Sequence, residues 1–159
     1  IGAIDSGTGD LAEAVRGSDL IILCTPVGLF EQLIRQMSPL LAPGAVVTDV
    51  GSTKRTVVRA AEAGLPRTAR FIGSHPMAGT EKYGPEHATA TLYEGCITLI
   101  EPRDNHAEDA YDKVVSLWAA VGSRVVELPA DLHDGIVANP NCCAIPPMYS
   151  PYRWSSPLS

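Results

Sequence analysis

Residues that could do chemistry concentrate in three short segments of the chain, and each segment follows a run of apolar residues. The segments are residues 25–28 (TPVG), 49–54 (DVGSTK) and 74–82 (SHPMAGTEK). In the third segment, His75 can accept a proton near neutral pH. Oxidation of a secondary alcohol to a ketone needs such a base, because a proton must leave the hydroxyl oxygen. Gly79 and the polar residues after it are typical of a loop that closes over a polar substrate.

Each segment also has a purely structural explanation. Pro26 fixes the chain direction and Thr25 offers a hydroxyl, but an ordinary strand-to-helix turn has the same composition. Gly51 lets the backbone approach a ligand closely, whereas Ser52 either caps the next helix or hydrogen-bonds a substrate hydroxyl. A histidine that precedes a proline is often structural as well. The functional interpretation of His75 therefore depends on its polar neighbours.

The elements that must position these segments follow from hydrophobic patterning. Continuous apolar runs predict strands buried on both faces, and helical spacing of apolar residues predicts helices between them. Asp10 is expected to cap the first helix and Gly17 to end it. The alternation predicts a parallel, doubly wound α/β sheet, whose ligands bind beyond the carboxyl ends of its strands. The strands are expected at 19–25, 45–50, 70–74, 96–100 and 124–128, and the helices at 10–16, 30–41, around 57–61 and 107–121.

Composition narrows the class of protein. The chain has 159 residues and a net charge of −6, without a run of basic residues, so we expect no nucleic-acid partner and no membrane association. The four cysteines lack the paired spacing of a zinc site, so we expect no metal and a reduced, cytoplasmic protein. Three other histidines lack the surroundings of His75. We interpret His87 and His106 as solvated and His133 as a residue at a helix start.

Taken in order, residues 19–28, 47–54 and 73–84 resemble successive signatures of the prephenate/arogenate dehydrogenase family. The most specific is GSHPMAGTEKYG at 73–84, and the resemblance runs from about Ile4 to Asp134. It implies a Rossmann-like fold and oxidative decarboxylation of prephenate or arogenate with NAD or NADP. It also implies that His75 accepts the proton of the substrate ring hydroxyl. Ser52 would hydrogen-bond both this histidine and the hydroxyl.

The resemblance assigns further residues to the two ligands and sets the domain limits. It implies that residues 1–130 form a partial nucleotide-binding domain that lacks the first βαβ unit, with its glycine-rich phosphate turn. We therefore expect reduced cofactor affinity. Residues 131–159 would begin a helical domain through which the parent enzyme forms a homodimer. The implied cofactor-binding residues are Thr25, Pro26, Val27, Asp49 and Gly51, and the implied substrate-binding residues are Ser52, His75, Thr80, Glu81 and Lys82.

The last 21 residues depart from the family pattern. From Asn139 the chain is rich in proline and serine and has no helical period. One hypothesis is a reading-frame slip near Asn139, and the alternative is a divergent tail. Two other functions stay open at this point: a different Rossmann-fold hydroxy-acid dehydrogenase, or a non-catalytic remnant that still binds a small molecule.

Overall fold

A computed structural model describes residues 4–78, 85–103 and 108–138 of the chain. Short 3-10 turns at Val27–Leu29, Ser38–Leu40 and Pro85–His87 lie between the longer elements. The helices are α1 (Leu11–Val15), α2 (Phe30–Met37), α3 (Arg55–Gly64), α4 (Glu108–Ala120) and α5 (Ala130–Val137). The strands are β1 (Leu20–Leu23), β2 (Val46–Asp49), β3 (Arg70–Ile72), β4 (Ser74–Pro76), β5 (Ile97–Ile100) and β6 (Arg124–Glu127).

The first three strands form a parallel sheet in the order β1-β2-β3. Leu23 pairs with Asp49 and Thr48 pairs with Ile72, so the three strands end at one common edge. All four residues of β2 are buried. A strand covered on both faces explains the continuous apolar run from which it was predicted.

The last three strands form a second sheet in the order β4-β5-β6. The expected strand at 70–74 breaks at Gly73, and the chain continues as β4, which runs antiparallel to β5. This pairing departs from the expected parallel arrangement, whereas β5 and β6 are parallel as predicted. At Gly73 a Cβ would lie 3.3 Å from Glu101 Cγ and 3.4 Å from Lys54 Cδ, so close packing favours glycine at the break.

Helices cover both faces of the strands, as expected for a doubly wound arrangement. Successive residues of a strand face opposite sides. Val47 packs in a cluster with Phe30 and Ile34 of α2, while Val46 packs in a second cluster with Trp118 of α4. The fold class predicted from the sequence is therefore confirmed. Within the described ranges, no helix is both long and apolar enough to cross a bilayer.

Local signals set the helix ends only in part. Asp10 caps α1 by accepting a hydrogen bond from the Ala12 amide at 2.8 Å, and Gly17 follows with φ +73°, as predicted. The helix expected at 30–41 ends at Met37 and continues as the 3-10 turn Ser38–Leu40. Pro39 lies at the start of that turn. Proline lacks the amide that would extend α-helical hydrogen bonding, so the α-helix is shorter than its apolar spacing indicates.

Candidate active site

A buried ion pair ties together the carboxyl end of the first sheet. Asp49, the last residue of β2, is 0% exposed, and its carboxylate pairs with the ammonium group of Lys54, which is 2% exposed. The same carboxylate accepts hydrogen bonds from the amides of Gly51 at 2.8 Å and Ser74 at 3.0 Å. Burial raises the pKa of Asp49 and lowers that of Lys54, while their mutual attraction opposes both shifts. The pair fixes the turn after β2 against the start of β4.

The turn after β2 also packs against the turn after β1. A Cβ at Gly51 would lie 2.8 Å from Val27 Cγ2 and 2.8 Å from Asp49 Oδ2. Glycine is therefore required here by a close approach within the protein itself. Because Ser74 of the third segment also binds Asp49, all three chemically promising segments meet here, which agrees with the prediction that they share an edge.

His75 lies in the middle of β4, opposite Leu99 of β5, rather than in a loop. Its side chain is 8% exposed, and its Nδ1 lies 2.9 Å from Nε2 of His133. Burial, helped by His133 and Lys54, lowers the pKa of His75 to about 4, although Asp134 opposes the shift. The imidazole is therefore neutral at physiological pH and has the protonation state that a general base requires.

The partner of His75 comes from α5, the last described helix. His133 is 0% exposed, and its Nδ1 lies 2.8 Å from Asp134 Oδ1. His133 is the fourth residue of α5, near the start of a helix as interpreted from the sequence, but the view that it lacks surroundings like those of His75 is wrong, because it is fully buried beside that histidine. The only local signal was a histidine-aspartate pair in an apolar helix. Nothing in its spacing indicates a partner 58 residues away.

Asp134 also replaces Ser52 as the cap of α3. Its carboxylate accepts hydrogen bonds from the amides of Lys54 at 2.7 Å and Arg55 at 3.1 Å. Ser52 is exposed and makes no side-chain cap to α3, so the first of the two roles considered for it, helix capping, does not apply. In the part of the chain that the structure describes, no hydrogen bond joins Ser52 to His75.

The remaining predicted site residues divide into three groups. Thr25 and Pro26 are exposed just after β1, and Val27 is half-buried. Asp49 is enclosed by its own protein partners, so its assignment to the cofactor stays a prediction, as do those of Gly51 and the turn after β1. His87 is exposed, as expected. The substrate-flanking residues Thr80, Glu81 and Lys82, together with His106, lie outside the described residues.

The fold and this arrangement of residues can be compared with known proteins. Residues 1–127 match the family model of the prephenate dehydrogenase nucleotide-binding domain. The chain belongs to the prephenate dehydrogenase family. The match covers β1 to β6 and includes Ser52 and His75, so the resemblance inferred from the three sequence signatures is confirmed.

Individual relatives agree with this assignment. The chain is 31% identical over 134 residues to a cyclohexadienyl dehydrogenase of Zymomonas mobilis, covering 84% of the chain and 45% of the relative. A structure of Aquifex aeolicus prephenate dehydrogenase with hydroxyphenyl propionate and NAD+ has a TM-score of 0.75 at 36% identity, covering 82% of this chain and 46% of that one. Synechocystis arogenate dehydrogenase gives 0.74 at 28% identity, with coverage of 82% and 46%. The chain thus spans less than half the length of these relatives.

Proposed function

We propose that the protein carries out NAD(P)-dependent oxidative decarboxylation of prephenate or arogenate. The observation that carries the proposal is His75, a neutral, nearly buried histidine held next to the turn that joins β2 to α3. The alternative of an unrelated hydroxy-acid dehydrogenase has no comparable support, because residues 1–127 match the prephenate dehydrogenase family.

In the proposed reaction, His75 removes the proton from the ring hydroxyl while the hydrogen on the same ring carbon departs as hydride. The bound nicotinamide supplies the hydride acceptor. The carbon–carboxylate bond then breaks, carbon dioxide leaves, and its electron pair completes the aromatic ring. As the ring double bonds shift, the π pair of the newly formed ketone moves onto its oxygen, and this oxygen takes the proton back from His75. The histidine therefore acts first as a base and then as an acid, with no net consumption of protons.

The low pKa of His75 fits a substrate that carries negative charge. Prephenate is a dicarboxylate, and a nearby negative charge favours the imidazolium form of a histidine. Binding of such a substrate would raise the pKa of His75 from about 4 towards the physiological range. The base would then gain proton affinity only when substrate is present.

The exposed residues after β1 are the ones available to the nicotinamide half of a dinucleotide. Thr25 and Pro26 are exposed at the carboxyl end of a parallel strand, where ligands of such sheets bind. Gly51 brings the adjacent turn close to them. We assign the cofactor to this edge and leave the choice between NAD and NADP to experiment. Thr80, Glu81 and Lys82 remain the proposed residues at the substrate entrance.

The whole protein is proposed to be a cytoplasmic homodimer. Its dimer contacts would come from a helical domain that begins near residue 131, where α5 starts. Analytical ultracentrifugation of the 159-residue chain and of a longer protein that includes such a domain tests this assignment. Dimerisation of the 159-residue chain alone would contradict it.

A chimera tests the proposed activity, because the chain spans 45% of the Zymomonas relative. Residues 4–137 replace the matching segment of that enzyme, and formation of reduced cofactor is followed at 340 nm. We expect turnover with prephenate or arogenate, and the comparison of NAD with NADP gives the cofactor preference. Turnover of simple 3-hydroxy acids without turnover of either expected substrate would contradict the proposal. The unaltered Zymomonas enzyme is the positive control.

A further inference from the structure

Three side chains from two distant parts of the sequence form a continuous hydrogen-bonded chain. Nδ1 of His75 lies 2.9 Å from Nε2 of His133, and Nδ1 of His133 lies 2.8 Å from Oδ1 of Asp134. The two imidazole rings have centroids 5.1 Å apart and are tilted by 58°. The directions of the two hydrogen bonds follow from the protonation state of the carboxylate at the end of the chain.

Asp134 is an acceptor only. Partial burial of its carboxyl favours the neutral acid, but the amides of Lys54 and Arg55 and the His133 ring outweigh burial and lower its pKa. The two amides belong to the N-cap residue and the first residue of α3, where the helix dipole also stabilises negative charge. An ionised carboxylate has no proton to donate. Nδ1 of His133 must therefore be the donor in the bond to Asp134.

The next bond follows from the same reasoning. His133 is fully buried, and burial lowers its pKa, with Lys54 acting in the same direction and Asp134 and Asp49 opposing it. The ring is therefore neutral and carries only the proton on Nδ1. Its Nε2 has a lone pair and accepts a hydrogen bond. His75 must then donate from Nδ1.

We propose that His133 and Asp134 are positioning residues that hold His75 in its Nδ1–H tautomer, so that Nε2 of His75 carries the lone pair that takes the substrate proton. The catalytic meaning of this tautomer rests on the proposed function, whereas the tautomer itself does not. Once Nε2 of His75 has gained the proton, the ring is cationic. The Asp134 carboxylate then stabilises the cation through the hydrogen-bonded His133 ring.

The hydrogen-bonded chain also links the base to the rest of the site. Asp134 caps α3 at Lys54, and the side chain of Lys54 holds Asp49, whose carboxylate binds the Ser74 amide next to His75. The histidine is thus fixed both through its ring and through its backbone. The bonds from Asp134 to the amides of Lys54 and Arg55 also join α5 to α3 at this edge.

Nitrogen-15 NMR of the ring nitrogens tests the proposal on the 159-residue chain without substrate or cofactor. The chain has four histidines, and substitution of each in turn assigns the signals. At pH 7.5 we expect both His75 and His133 to carry the proton on Nδ1 and to have a bare Nε2. A proton on Nε2 of either neutral ring would overturn the proposal. Because no turnover is measured, failure of this test is separate from failure of the proposed function.

Two substitutions separate positioning from packing. His133→Gln keeps a carbonyl oxygen that can accept from His75, so the Nδ1–H tautomer should persist. His133→Leu keeps the bulk but removes the acceptor and leaves a buried donor unsatisfied, so the Nδ1–H to Nε2–H ratio of His75 should fall about fivefold or more. An unchanged ratio in the leucine variant would overturn the proposal. If the leucine variant does not fold, the spectra of the wild type and of His133→Gln test the proposal, and loss of the Nδ1–H tautomer in either would overturn it. His87→Gln, at an exposed site, is the control.

Discussion

Replacing Lys54 with methionine is expected to destabilise the fold strongly. The change keeps most of the side-chain volume but leaves the Asp49 carboxylate, which is 0% exposed, without its cation. Breaking a buried ion pair by removing one partner costs about 3–5 kcal/mol, because a buried charge is left uncompensated. Domains are stable by only about 5–15 kcal/mol in total. Lys54→Met should therefore remove a large share of the stability of the chain.

The structure also predicts what relieves this cost. In a Lys54→Met Asp49→Asn double variant no charge is buried, and the asparagine oxygen can still accept from one of the two amides, those of Gly51 and Ser74. One amide loses its acceptor, at a cost of about 1–3 kcal/mol. Set against the larger cost of the unpaired buried charge, this leaves the double variant more stable than Lys54→Met alone by about 2 kcal/mol.

The assay is urea unfolding followed by the fluorescence of the buried Trp118 and by circular dichroism. Lys113→Met on the exposed side of α4 is the matched control, and we expect it to change stability by no more than about 0.5 kcal/mol. In Lys54→Met the pKa of Asp49 should rise further above its unfolded value, so the deficit should shrink as pH falls towards 4. A cost of less than about 1 kcal/mol, or a cost independent of pH, would refute the reasoning.

Three further predictions concern pH, a turn and a helix cap. The pKa of His75 is about 4 in the folded protein and 6.5 in the unfolded chain, so the free energy of unfolding should fall by up to about 3 kcal/mol as pH drops from 6.5 to 4. In urea unfolding, the His75→Asn variant should lose less stability over the same pH range. Gly51→Ala places a Cβ 2.8 Å from Val27 Cγ2 and should cost about 1–3 kcal/mol in the same assay, whereas Gly28→Ala, with no atom within 4 Å, should be nearly neutral. Asp134→Ala removes the cap of α3 and should lower the free energy of unfolding by about 0.5–2 kcal/mol. An unchanged midpoint of urea unfolding would contradict the assignment of Asp134 as the cap.

The sequence contained enough information for the elements with strong local signals. The buried runs at 19–25 and 45–50 predicted β1 and β2, and Asp10 and Gly17 predicted both ends of α1. The meeting of the three chemically promising segments at one edge followed from parallel strand geometry alone. These features depend on short-range pattern and on a general rule of the fold.

The features that were missed depend on long-range pairing. The segment SHP at 74–76 has no apolar pattern, and it becomes β4 because it pairs with β5 more than 20 residues later. Lys54 is a charged residue that the sequence alone would place in solvent, yet it is buried because Asp49 is there to pair with it. His133 was missed for the same reason. Its role becomes visible only when α5 packs against α3 and brings it to His75.

The central claim is that His75 is the base of the oxidation, and His75→Asn in the chimera tests it most directly. Asparagine can still donate a hydrogen bond towards His133 but cannot accept a proton, so the pocket is preserved while the base is lost. We predict that kcat falls by about 10²–10⁴-fold while binding of hydroxyphenyl propionate, measured by calorimetry in the presence of NAD, stays within a few-fold of the unsubstituted chimera. An undiminished kcat would show that His75 is not the base.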